Sequence, residues 1–175
     1  MRKTKKIILS GLLLSLLIIL SRFVSFKSQI LVISFSFIPI IISAILLGPK
    51  YTLAIAALGD FLGATLFPFG AYFVGFTILE GLTGLIYGLF LHNKDLCFYE
   101  KKSFLIRLIL SSFINLIVIG IFITGFMIST LYGQAYILII TSRAITKIVM
   151  LFVQVILMYA LNNKIINSAK KYLIY

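Results

Sequence analysis

The chain is short of acid, histidine, cysteine and proline. Its 175 residues include four acidic side chains, one His, one Cys and three Pro. The lone Cys97 excludes an internal disulfide. With His92 as the only imidazole there is no His/Cys cluster to hold a metal. No Gly-x-x-x-x-Gly-Lys-Ser/Thr loop is present to cradle a nucleotide phosphate, and no Ser, His and acid constellation to build a nucleophile. The residues therefore argue against an enzyme and against an ATPase, and they call for no cofactor.

What is present is apolar. Hydrophobic residues make up 62% of the chain and charged ones 11%, with a mean hydropathy of +1.18. No soluble domain buries that much apolar surface, so the class is an integral membrane protein. A span takes about 20 apolar residues, so one bundle of at most about seven helices fits, with no separate soluble domain. The net charge of +12 would suggest nucleic acid in a soluble protein. Here the basic residues gather at helix flanks, as orientation signals do, with some attraction to anionic lipid. No nucleic-acid partner is expected.

Hydropathy and turn signals divide the chain into six spans forming one transmembrane domain over residues 1–175: about 6–24, 30–47, 51–67, 72–91, 104–128 and 142–161. The basic N-terminus before an apolar run resembles a signal peptide, but no small-residue cleavage site follows Ile7–Leu20, so it reads as a permanent first helix. Gly48-Pro49-Lys50 and Pro68-Phe69-Gly70 read as helix stops. An even number of spans places both termini on one side. That side collects Arg2, Lys3, Lys5, Lys6, Lys50, Lys94, Lys101, Lys102, Lys164, Lys170 and Lys171, against Arg22 and Lys27 opposite. Both termini are expected in the cytoplasm. Before Pro39, the run Ser34-Phe35-Ser36-Phe37 is biased away from helix. Extended backbone at membrane depth must line a cavity or be buried in protein, so this run and the Arg22–Gln29 loop point to an outward-facing pocket. An ordinary helix start at the interface is the alternative.

Ionisable residues inside apolar helices cost about 2.5–3.5 kcal/mol each on insertion scales and usually mark a site. Arg143 and Lys147 lie four apart, on one face near the external end of the last span. Like charges there need a shared anion or carboxylate, unless Arg143 merely snorkels to the interface. Asp60 and Glu80 are internal counterions or ligand contacts, and a structural salt bridge serves each equally well. Arg22 is a third cation, with an interfacial anchor as its other reading. Asn115 is a lone amide that needs partners in the bundle. Among the external aromatics, Phe35, Phe37, Tyr72 and Phe76 can stack on a flat ligand or belong to the packing. Ser10, Gly11 and Ser15 give span one a small face near its cytoplasmic end, suited to a partner subunit.

Several of these residues fall in a familiar pattern. The run Ser34-Phe-Ser-Phe-Ile-Pro39, then Leu47-Gly-Pro49, Gly59-Asp60, Phe67-Pro-Phe-Gly-Ala-Tyr-Phe-Val-Gly-Phe-Thr77 and Gly81-x-x-Gly84-x-x-x-Gly88 resembles the S components of energy-coupling factor (ECF) vitamin transporters. The folate-specific branch is the most similar, its Arg-x-x-x-Lys motif matching Arg143 to Lys147. The resemblance implies a six-helix, all-α bundle in a bacterial plasma membrane that captures a vitamin without catalysis. It also implies a transmembrane coupling protein and two ATPase subunits as partners, and a toppling motion for release. The family's first helix often carries Ala-x-x-x-Ala; here Gly11-x-x-x-Ser15 departs from it while staying small. Folate has two carboxylates for Arg143, Lys147 and Arg22, and a flat pterin for Asp60, Asn115, Glu80 and the aromatics. Other readings are an S component for another anionic vitamin such as pantothenate, and a small membrane scaffold whose charges are only interhelical.

Overall fold

A computed structural model describes residues 3–27, 32–68, 72–92, 101–133 and 136–174, and within them the side chains other than those of residues 26, 27, 32, 33, 101, 132, 142 and 162–174. The polar loop 93–100, which holds Cys97, and Phe69 lie outside them. The described residues form six helical rods and one small hairpin. In chain order they are α1 (Lys3–Arg22), β1 (Ser25–Lys27), β2 (Val32–Ser34), α2 (Phe37–Leu47), α3 (Pro49–Leu66), α4 (Val74–Leu91), a rod made of α5 (Lys101–Ile114), a π-helical segment (Asn115–Ile123) and α6 (Thr124–Tyr132), and α7 (Tyr136–Ile174). Four rods are long and apolar enough to cross a bilayer: α1, α4, the α5–α6 rod and the Tyr136–Leu161 part of α7. The all-helical class and the count of six rods match the expectation.

The second span does not. Helix was expected from about residue 30, yet α2 begins at Phe37. Its 11 residues reach about 16 Å, roughly half of a hydrocarbon core. Pro39 sits in its first turn, where a missing N–H costs nothing. Upstream, β2 pairs antiparallel with β1, Ser25 opposite Ser34 and Lys27 opposite Val32. The extended reading of the Ser34 region was therefore right. The hairpin satisfies backbone groups that would otherwise lie bare at that depth.

Gly48-Pro49-Lys50 is also tighter than a stop. Gly48 alone separates α2 from α3, at φ +85°, and Pro49 opens α3, where a fixed φ is pre-organised for helix. The His92 ring lies 3.2 Å from where a Gly48 Cβ would be, with its Nδ1 3.4 Å from the Ile45 carbonyl. His92 thus closes a helix junction.

The inner half of the bundle is solid. Leu13 and Leu17 of α1, Ile41, Ala44 and Ile45 of α2, Ile55 and Ala56 of α3, Leu91 of α4, Phe104 and Leu108 of α5, and Met158 of α7 form one core. Glycines set the helix spacing. A Cβ on Gly84 would stand 2.7 Å from the Thr52 carbonyl, one on Gly88 would strike the Pro49 backbone, and one on Gly59 would enter the Leu17 side chain. The absent side chains let α4 and α1 approach α3, which is how membrane helices gain dispersion contacts. Outward faces are apolar: Ile7, Ile137, Ile145 and Phe152 stay largely exposed, as lipid contact requires.

Candidate binding cavity

Because α2 spans only half the depth, the outer half of the bundle is hollow. A cavity of about 960 Å³ opens there, at the upper end of small-molecule sites, about 300–1,000 Å³. Its walls come from the end of α1, the start of α2, the end of α3 with Pro68, Tyr72 and the start of α4, the π segment and the first half of α7. Of the ten expected ligand residues, nine line it: Arg22, Phe37, Asp60, Tyr72, Phe76, Glu80, Asn115, Arg143 and Lys147. Phe35 does not. It packs against the core instead, 6.2 Å from the Phe37 ring, in the short stretch between β2 and α2.

The charges fall into two groups. Arg22 Nη2 lies 3.5 Å from Asp60 Oδ1 and 3.4 Å from the Asp60 carbonyl. Its guanidinium covers Gly63, where a Cβ would come within 2.6 Å of Nε. The other Asp60 oxygen accepts from Thr77 Oγ1 at 2.8 Å. With that proton committed, the Tyr72 hydroxyl donates to Thr77 at 3.0 Å. Arg22, Asp60, Thr77 and Tyr72 therefore tie α1, α3 and α4 together at the rim. For Asp60 and Arg22 the salt-bridge reading describes the geometry.

Arg143 and Lys147 differ. Arg143 is only 7% exposed, and its Nε has no hydrogen-bond partner. Such a group costs about 1–3 kcal/mol, more when charged, until something bonds to it. It is buried, so the snorkelling alternative fails. Lys147, one turn further in, lays its stem along Gly120, whose Cβ would sit 3.5 Å from Cδ. Its ammonium feels the charges of both Arg143 and Glu80, and Glu80 is open to the cavity.

The floor is neutral and polar. Gln154 of α7 donates from Nε2 to the Tyr87 hydroxyl and to Ser112 Oγ, both at 2.8 Å. These three residues were missed in the sequence, although Gln154 is a lone amide in an apolar helix, the same signal that drew attention to Asn115. Asn115 is 7% exposed; it lies beside the Tyr87 hydroxyl, yet neither its amide nitrogen nor its oxygen makes a hydrogen bond of good geometry. Cations at the rim and amides below suit an elongated ligand with an anionic end and a flat hydrogen-bonding end.

The small face of α1 lies elsewhere. Gly11 and Ser15 are exposed, and a Cβ on Gly11 would meet nothing within 4 Å. Ser10 and Ser15 bond to their own helix, to the carbonyls of Lys6 and Leu12. The face is free for another helix.

Known proteins agree with this architecture. The sequence model of the ECF-type riboflavin transporter S component matches residues 1–167. Folate transporter FolT of Clostridium novyi is 30% identical over 91% of this chain and 88% of its own length. Folate transporter FolT of Leuconostoc mesenteroides is 30% identical over 96% and 90%. A crystal structure of FolT bound with folic acid superposes with a TM-score of 0.81 at 33% identity, covering 93% of this chain and 97% of that one. The family model is that of a riboflavin S component and the relatives are folate transporters, two cargoes on one architecture. The fold, the cavity and these matches lead to one statement: the chain belongs to the S components of ECF transporters, a membrane-embedded transport subunit and not an enzyme.

Proposed function

We propose that the cavity binds folate, captured from the extracellular side for uptake. The observation that carries this is the Arg143–Lys147 pair, two cations one turn apart in a cavity where the Arg143 guanidinium still has an unpartnered nitrogen. Riboflavin is neutral and brings that pair no carboxylate, whereas the glutamate tail of folate brings two, which arginine binds in a bidentate fork. The folate relatives support the same choice. Phe76 lines the cavity and supplies an aromatic face for the ring system.

The orientation follows from charge. Apart from the cavity residues Arg22, Arg143 and Lys147, most basic residues of the sequence gather near the termini and at Lys50, Lys101 and Lys102, which supports cytoplasmic termini and an outward cavity mouth. Gly11 and Ser15 on the exposed face of α1 are the contact for the transmembrane coupling protein, which with two ATPase subunits drives uptake. This chain itself carries no nucleotide loop.

A binding titration of the detergent-solubilised protein with folic acid, riboflavin and pantothenate tests the cargo. Folic acid is expected to bind and neither competitor to displace it. Displacement by riboflavin at comparable concentration overturns the folate assignment and leaves the family standing.

A further inference from the structure

The fifth rod is π-helical from Asn115 to Ile123, and this stretch forms a wall of the cavity. A π turn closes i→i+5 bonds and is poorer than an α turn, so it persists where something depends on it. The register shows what depends on it here. Asn115 and Thr124 are nine residues apart, about two and a half α turns, which would put them on opposite faces. At about 4.4 residues per π turn, nine residues make about two turns and bring them to one face. Both line the cavity, with Ile119 and Gly120 between them. The Thr124 hydroxyl fastens the widened turn by donating to the Ile119 carbonyl at 2.6 Å, and the Thr124 backbone N–H bonds the same carbonyl.

Asn115 therefore stands at the start of the π segment, buried and lining the cavity, with neither its NH2 group nor its carbonyl oxygen in a hydrogen bond of good geometry. An amide in that state complements an edge where an N–H lies beside a C=O, as on the pyrimidinone side of a pteridine, and two such bonds would offset the cost of leaving it dry. We infer that Asn115 is the residue that reads the heterocycle of the ligand, and that the π register fastened by Thr124 is what aims it. Thr124 is a positioning residue and Asn115 the specificity residue. The inference rests on the folate reading, since it assigns the pterin end to the floor and the glutamate end to Arg143 and Lys147.

The test uses the full chain, with folic acid and with N-(4-aminobenzoyl)-L-glutamate, which keeps the tail and lacks the pteridine. Asn115→Leu is expected to weaken folic acid more than tenfold and to leave the fragment's competition constant within twofold. Equal weakening of both, or unchanged folic acid, overturns the assignment. Thr124→Val, which keeps the shape and removes the hydroxyl, is expected to weaken folic acid several-fold, and Thr124→Ser to restore it. Wild-type affinity in Thr124→Val overturns the positioning role. If the unaltered chain binds no folic acid, the folate reading fails first, and that outcome is separate from these.

Discussion

The two ends of the bundle are made from similar apolar helices and have opposite characters. At the inner end, glycines at 84 and 88 draw α4 against α3, and α2 fills the centre. At the outer end the same rods surround a cavity. The Arg22–Asp60–Thr77 network ties the rim, and the centre is empty because α2 begins only at Phe37. The difference teaches that packing and binding are separated along the membrane normal. Polar groups at the inner end of the cavity satisfy one another, as Gln154, Tyr87 and Ser112 do. Arg143 and Asn115 above them keep polar atoms unpartnered.

The largest effect is expected from Arg143→Gln. Loss of a charge-assisted bond, about 1.5–3 kcal/mol, should weaken folic acid by about ten- to a hundredfold. The ligand-free protein should be at least as thermally stable, because a buried cation has been removed. A protein that no longer folds would show that Arg143 is structural and that the two ends are not separable. Next comes Gly84→Leu, where the side chain meets the Thr52 backbone. Overpacking costs about 1–3 kcal/mol or more, seen as a lower midpoint in thermal size-exclusion, with affinity retained in the folded fraction. A loss of affinity at full stability would break the separation from the other side.

Lys147→Ala should weaken folic acid by roughly tenfold, less than Arg143→Gln, since a point charge lacks the guanidinium fork. An unchanged titration removes Lys147 from the site. Asp60→Asn is the smallest. The Arg22–Asp60 pair is long and partly open to water, where such pairs contribute about 0–1 kcal/mol, so a small drop in midpoint with affinity within threefold is expected. A collapse of folate affinity in Asp60→Asn would make Asp60 a ligand contact and move the rim network into the binding site.

Much of the site was legible because charge in an apolar helix is a loud signal. Arg143, Lys147, Asp60 and Glu80 stand out by type alone, and the four-residue spacing of the first two fixes their common face. Gln154 stands out by the same rule. The pairing of Arg22 with Asp60 was not legible, because it depends on where the end of α1 crosses α3, 38 residues later. The exclusion of Phe35 was not legible either, since a local turn before Pro39 decides which aromatic faces inward. The π segment has no composition of its own: Asn-Leu-Ile-Val-Ile-Gly-Ile-Phe-Ile reads as any apolar helix.

The sequence by itself determined the solvent, the number of rods and the identity of the charged residues. These follow from hydropathy, helix length and the cost of a buried ion, all of which are local. Only the tertiary structure decided that α2 stops halfway, that Arg22 has Asp60 beside it at the rim while Arg143 lies buried in the cavity wall, and that Asn115 and Thr124 share a face. Those outcomes depend on which rods touch and in what register. Register is set by the sum of many weak contacts between distant segments, which no single stretch of sequence contains.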